Sequence, residues 1–259
     1  MDKILYSDPK SKRTTFIGSV NGEQSLLVAD LQNLSTAEFT KIEKVAENGI
    51  YHQLIGESKN KVKLVLISPC TQKHIDKYSA PRFEMITETP KLYAEVVKPL
   101  AQEDNVEWIS DILNGKSEQE DILLRNSEFV LMPDMKWNRN VDELYLLVIT
   151  TERILSLREL RREHLPLLQS IRTQVNDLCE SMYGLGRNKI RMYVHYQPTY
   201  YHFHVHVVHV NCDLVGQSHL LDDIIQNIEL VPDYYQKVTL NYSLNTNLKL
   251  FKCISGINE

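Results

Sequence analysis

The chain has 259 residues, 42% of them hydrophobic and 24% charged, with a formal net charge of −5. It is long enough for one large or two modest domains and has the balance of a soluble globular protein. The acidic net charge argues against a strong non-specific grip on long nucleic acid, which needs a basic face, but leaves room for a small anion held by local cations. No apolar run is long enough to span a membrane, and Met1-Asp2-Lys3 opens no signal peptide. Cys70, Cys179, Cys212 and Cys253 lie far apart with no CxxC pairing. They read as reduced thiols of a cytosolic or nuclear protein.

In chain order, residues 14–17 and 25–28 flank Asn21-Gly22, a pair that tolerates positive φ, so residues 13–30 are predicted as a β-hairpin. Ser35 with Glu38 makes a capping box and predicts a helix running to Glu47, ended by a left-handed C-cap at Asn48-Gly49. Residues 50–55 and 63–67 read as two more strands, the second ended by Ser68-Pro69. Residues 1–72 then form a small α+β domain that is marginal alone and packs on something else, such as a second subunit. Residues 73–89 are mixed and charged, are broken by Pro81, and read as a connector to a second domain over 90–259.

The second domain opens with a helix after Thr89-Pro90, with Leu92, Val96, Val97 and Leu100 near helical spacing. Trp108 lies in the apolar stretch 106–113, and Glu118 follows in a polar turn. Short strands are expected at 122–124 and 129–132, the latter running into Pro133-Asp134-Met135-Lys136-Trp137. Residues 144–149 read as a central strand. A helix is expected from His164 to Tyr183, with Pro166 in its first turn, a buried stripe of Leu168, Ile171, Val175, Leu178 and Met182, and Gly184 as C-cap. On the strand 190–196, Arg191, Tyr193 and His195 share a face. A last helix is expected from an N-cap at Ser218, with Leu221, Ile224, Ile225 and Ile228 inward.

Between these lies the stretch around which the chain is organised, Tyr200 to Val210. From Phe203 on, it is β-branched or aromatic wherever it is not His, which predicts a strand. Alternation puts His202, His204 and His206 on one face and Phe203, Val205 and Val207 on the other. Pairing with the strand 190–196 as a hairpin brings His195 to the histidine face. Spacing alone leaves two chemistries open. Neutral imidazoles can hold a zinc ion with an open position. Alternatively, one neutral imidazole attacks phosphorus while neighbours fix its tautomer and stabilise the charge.

The pattern from His202 to Val208 resembles the histidine-triad superfamily of nucleotide hydrolases and transferases. The resemblance narrows to the scavenger mRNA decapping enzymes through residues 73–78, residues 107–113 with Glu118 ten residues after Trp108, Phe129 to Asn138, Glu163 to Leu168, and Val194 to Tyr201. It covers nearly the whole chain. It implies an α+β fold with an N-terminal dimerisation domain, exchanged between subunits of a homodimer, and a C-terminal histidine-triad domain. It implies hydrolysis of 7-methylguanosine cap dinucleotides and short capped RNA fragments, with no divalent metal or other cofactor and no membrane partner. His204 is then the nucleophile, with His202, His206 and His195 around it. Thr199, Tyr200, Lys136 and Lys77 contact phosphate, and Tyr51 approaches the ligand. Trp108 stacks on the methylated guanine, whose positive charge is attracted to an indole face by roughly 0.5–2 kcal/mol. Pro133 and Met135 close the opposite side, Asp134 between them belongs to the same substrate-binding set, and Glu118 accepts from the guanine edge. Gln217 stands where the animal enzymes carry an arginine, and Met135 where leucine is usual. A general dinucleoside polyphosphate hydrolase and a cap-binding protein with weak turnover are the alternatives.

Overall fold

A computed structural model describes residues 2–8, 13–30, 41–57, 62–80, 82–212 and 217–256. The fold is α+β, and the chain divides into two compact units: Met1–Glu84 with Leu244–Glu259, and Met85–Ser243.

In the first unit, strands β1 (Lys3–Asp8), β2 (Arg13–Val20), β3 (Glu23–Asp30), β4 (Lys41–Asn48), β5 (Tyr51–Glu57) and β6 (Val62–Ile67) form one sheet in the order β1-β2-β3-β6-β5-β4. Every pairing is antiparallel. The predicted hairpin forms: Val20 pairs with Glu23, and Asn21 and Gly22 take φ of 52° and 84°. Two positive φ values make the type I′ turn, whose twist matches that of the flanking strands. Helix α1 (Gln72–Tyr78) lays Ile75 and Tyr78 against Leu26 and Ile67.

The helix expected up to Glu47 does not form over residues 41–47. Its capping residues Ser35 and Glu38 lie outside the described residues, and Lys41–Asn48 is strand β4, paired with β5 from Lys41↔Glu57 to Asn48↔Tyr51. Asn48-Gly49 opens a hairpin turn instead of capping a helix, with Gly49 at φ 58°. The physical reason lies in β4's position at the sheet edge. Ile42 and Val45 stay 50% and 52% exposed, so no apolar stripe needed a helix to bury it, and pairing with β5 satisfies the backbone.

In the second unit, the first helix follows Thr89, whose hydroxyl oxygen accepts from the Leu92 N–H at 3.2 Å. Helix α2 (Pro90–Leu92) continues through a π turn (Tyr93–Val97) into α3 (Lys98–Gln102), burying Tyr93, Val97 and Ala101. Helix α4 (Glu107–Leu113) follows. Strands β8 (Leu124–Arg125), β9 (Phe129–Pro133), β10 (Tyr145–Thr150), β11 (Ile190–His195), β12 (His204–His209) and β13 (Ser218–Leu220) make an antiparallel sheet in the order β13-β11-β12-β10-β9-β8. Every residue of β12 is buried. One face is covered by α4, whose Ile109 and Ile112 pack with Met132, Leu147 and Ile149. Helix α5 (Leu165–Tyr183) packs against β11 and against α6 (Leu221–Leu230). Arg172 and Asn176 of α5 meet Ile190 and Met192 around a small cavity, on the face of β11 opposite Tyr193 and His195.

Two expectations need correcting here. The buried stripe of α5 is Leu168, Ile171, Val175 and Cys179, and Met182 is 54% exposed. A period of 3.6 carries the stripe from 175 to 179, leaving Leu178 at its margin and Met182 beyond it. Ser218 is no N-cap. It pairs with His195 in strand β13, and α6 starts three residues later with Leu221, Ile224, Ile225 and Ile228 buried as expected. After α7 (Tyr234–Lys237), strand β14 (Leu240–Asn245) pairs with β7 (Phe83–Glu88), and the division between the units runs through both strands. Helix α8 (Lys249–Ser255) belongs to the first unit.

Candidate active site

The sheet register builds the site. Across β10, β12 and β11, Leu147 pairs with His206 and His206 with Tyr193; two residues along, Ile149 pairs with His204. Residues in register share a face, so His204, His206, Tyr193 and His195 stand on the side that α4 covers. His202 lies just before the strand, not on it, because β12 begins at His204. Its Nε2 is 2.6 Å from the Thr150 carbonyl oxygen.

Backbone carbonyls assign two protons. A carbonyl only accepts, so His202 donates from Nε2. His204 Nδ1 lies 2.7 Å from the His202 carbonyl oxygen and must likewise donate. The neutral ring has one N–H, which leaves the lone pair of His204 on Nε2. His206 Nδ1 is 3.2 Å from the Tyr145 hydroxyl, and its Nε2 is buried with no hydrogen-bond partner among the described residues. His195 donates from Nδ1 to the Gln217 carbonyl at 3.3 Å, and its ring centre is 4.7 Å from that of His206.

Aromatic rings continue the site outward. Tyr200 stacks on His204 at 4.2 Å with an interplanar angle of 24°, and Trp108 meets Tyr200 edge-on at 5.0 Å. Helix α4 delivers Trp108 because its Ile109 and Ile112 are the residues that the sheet buries. The Lys136 ammonium sits 5.6 Å from the Tyr145 ring, and the Lys136 N–H donates to Asp134 Oδ1 at 2.8 Å.

Burial pushes the imidazoles towards the neutral form. His204 is lowered to about 4, mainly by loss of water, with its bond to the His202 carbonyl opposing and the positive charges of His195, His202 and Lys136 reinforcing. His206 is lowered to about 2, again chiefly by burial and then by His204, His195 and Lys136. His195 and His202 are lowered for the same first reason. At neutral pH, His204 and His206 are therefore uncharged. Lys136 makes its positive charge felt at three of the histidines, and Arg153 at His202.

The remaining expected residues fall in both units. Pro133 ends β9, paired with Leu146, and Met135 is 52% exposed in the following turn. Glu118 takes a left-handed backbone, φ 54°, after α4. That conformation is sparsely populated for a residue with a side chain, and such outliers cluster at functional sites. Thr199 is exposed in the loop before β12. Gln217 places its side-chain N–H on the Asn241 carbonyl and accepts from the Ser243 N–H at 3.2 Å, so its amide is engaged with β14. Tyr51 and Lys77 lie in the first unit, on β5 and α1. Tyr51 shares a 3.1 Å hydrogen bond with His74 Nε2, and the Lys77 ammonium lies 5.5 Å from the Tyr78 ring. The sequence reading missed Tyr145, Asp104 and Arg153. Tyr145 was detectable, since it shares the alternation of Leu147 and Ile149. Asp104 Oδ2 accepts from the Tyr201 N–H at 2.9 Å across 97 residues, a contact that no local pattern signals.

The chain resembles known proteins along most of its length. A family model described as "Scavenger mRNA decapping enzyme C-term binding" matches residues 107–221, and one described as "Scavenger mRNA decapping enzyme (DcpS) N-terminal" matches residues 1–81. The m7GpppX diphosphatase of Schizosaccharomyces pombe is 32% identical over 286 residues, covering 99% of this chain and 94% of that protein. That of Ascaris suum is 34% identical over 267 residues, with 93% and 88% covered. That of Homo sapiens is 36% identical over 280 residues, with 100% and 82% covered.

Proposed function

The chain belongs to the scavenger mRNA decapping enzyme family, and from that premise we propose that it hydrolyses the 5′–5′ triphosphate of 7-methylguanosine cap dinucleotides and short capped RNA fragments. The products are 7-methyl-GMP and a fragment ending in a 5′-diphosphate.

One observation carries the mechanism: the His204 Nδ1–H bond to the His202 carbonyl at 2.7 Å. It leaves the Nε2 lone pair of a neutral ring free to attack the phosphorus nearest the methylated guanosine. An N–P bond forms as the bond to the bridging oxygen breaks, and the diphosphate fragment leaves with the bonding pair. Water then displaces His204 from phosphorus and restores the imidazole. His206 stands beside the attacking ring, and His195 stands beside His206. Lys136 supplies positive charge for the non-bridging oxygens, and Thr199 and Tyr200 supply hydroxyl donors. At the base end, Trp108 stacks on the cationic guanine, Glu118 accepts from its N–H groups, and Pro133, Asp134 and Met135 flank it. Tyr51 and Lys77 complete the ligand set on the strength of the family resemblance. The same resemblance supports a homodimer.

The deciding experiment incubates the purified protein with a methylated cap dinucleotide and its unmethylated twin and identifies the products. Release of 7-methyl-GMP from the first, with much slower cleavage of the second, is expected. Equal cleavage of both would make the protein a general dinucleoside polyphosphate hydrolase. Tight binding without cleavage would make it a cap-binding protein.

A further inference from the structure

Glu88 is fully buried, and its partner Arg158 is 1% exposed. The carboxylate accepts four side-chain hydrogen bonds, two on each oxygen. Oε1 receives Arg158 Nε at 2.7 Å and the Tyr196 hydroxyl at 2.6 Å. Oε2 receives Gln197 Nε2 at 2.8 Å and the Tyr242 hydroxyl at 2.7 Å. Arg158 is completed by the carbonyls of Glu88, Tyr235 and Val238. Replacing a buried ion pair by apolar residues of similar volume is often neutral or stabilising, so its presence calls for another reason.

The reason lies in what the network holds. Gln197 donates to Glu88 and to the Tyr242 hydroxyl, and its own Oε1 accepts the Tyr201 hydroxyl at 3.0 Å. Tyr201 is fixed a second time through its N–H to Asp104. Residues 197 and 201 are thus clamped to each other and to the buried carboxylate. Between them lies Pro198-Thr199-Tyr200, and the Tyr200 ring stacks on His204. We infer that Glu88 is the positioning residue for this loop: through Gln197 and Tyr196, it sets the place of the Thr199 and Tyr200 hydroxyls and the packing over the His204 ring. None of the groups bonded to Glu88 needs to touch the ligand. This inference rests on the proposed phosphoryl chemistry, because it assigns the loop a role in that step.

The test compares Glu88→Gln with Leu168→Ala, which weakens the α5 core away from the loop. Cap-dinucleotide kinetics are measured per folded molecule, with thermal midpoints recorded. In parallel, histidine side-chain NMR reads the His204 ring without substrate. Glu88→Gln is expected to lower kcat about tenfold or more, move KM by less than about threefold, and shift the His204 ring resonances, since small misplacements of a positioned group act on the chemical step. Leu168→Ala is expected to lower the midpoint while leaving kcat and those resonances in place. If Glu88→Gln keeps kcat within about twofold, or loses no more than Leu168→Ala does, the inference fails. Should Glu88→Gln not fold, Tyr242→Phe decides. It removes one bond of the four, and a kcat indistinguishable from wild type would overturn the proposal. If the wild type does not cleave the cap, the functional reading fails instead, and the NMR comparison still decides whether Glu88 governs the His204 environment.

Discussion

A carbonyl oxygen can only accept, and that constraint does more than spacing to give the imidazoles different jobs. His202 and His204 each face one, through different ring nitrogens, so equivalent positions in an alternating pattern become chemically distinct. If His204 Nε2 is the nucleophile, His204→Asn keeps the ligand within about threefold in affinity and loses at least about a thousandfold in turnover, because an amide nitrogen cannot form the phosphoramidate. Titration together with product analysis checks this. A second consequence is pH-dependent. The His204 pKa is lowered to about 4 in the folded protein from an ordinary value of 6.5. As pH falls below 6.5 the unfolded chain takes up the proton and the folded one does not, so stability present above that value is lost on the way down to about 4. For His204 alone this is worth about 3 kcal/mol. Urea unfolding at stepped pH should show the slope, and His204→Asn should make it shallower, leaving the part that the other lowered histidines contribute.

At the scale of elements, α4 is an example of a helix placed by packing and used for what it carries. Ile109 and Ile112 seat it, and Trp108 follows. In a His204→Asn background, Trp108→Ala should weaken the methylated cap by about 1–3 kcal/mol and the unmethylated one less, since only the first ring is cationic. Equal losses in the two titrations would reduce Trp108 to packing. Glu118→Gln should weaken both ligands. Helix α5 gives a stability contrast: Leu168→Ala should cost about 2–5 kcal/mol, whereas the exposed Met182→Ala should stay within about 0.5 kcal/mol in denaturant titration. Much of this was legible in the sequence. The Asn21-Gly22 turn, the α6 stripe and the histidine strand all have local patterns that agree with their surroundings. Residues 41–48 were not legible, because Ile42, Val45 and Ala46 have helical spacing while their strand partners lie in residues 51–57, where only tertiary pairing decides. Ser218 failed for the same reason, its partner being His195 across the sheet. The candidate site was visible where alternation announced it, and invisible where, as with Asp104 and Glu88, long-range contacts make the residue matter.

For the whole molecule, sequence pattern and fold agree on α+β, but patterns within a single chain carry no information on what a chain marginal in its first domain packs against. The homodimer drawn from the family predicts a solution mass twice that of the chain, read by light scattering behind size exclusion at working concentration. A mass equal to one chain would sink it. The charge arrangement makes another whole-protein prediction. If imidazoles and Lys136 supply the stabilisation proposed for them, exhaustive treatment with a chelator should leave cap hydrolysis within about twofold of the untreated rate. Activity lost on chelation and restored by zinc would return the histidines to the role of metal ligands.

The chain has two tryptophans, and their surroundings differ in a way that makes the protein its own optical instrument. Trp137 is pinned by its Nε1–H to the Asn140 carbonyl at 2.8 Å, lies 5.7 Å from Tyr183 and has the Arg139 guanidinium 5.3 Å away. Trp108 touches Tyr200, one ring removed from the proposed nucleophile. With Trp137 replaced by Phe, a single emitter remains, and it sits where a positively charged base would dock. Stacking of that base should dim the indole, and departure of 7-methyl-GMP should brighten it again. Arrival and release could then be timed separately, by light alone, in an otherwise unlabelled chain.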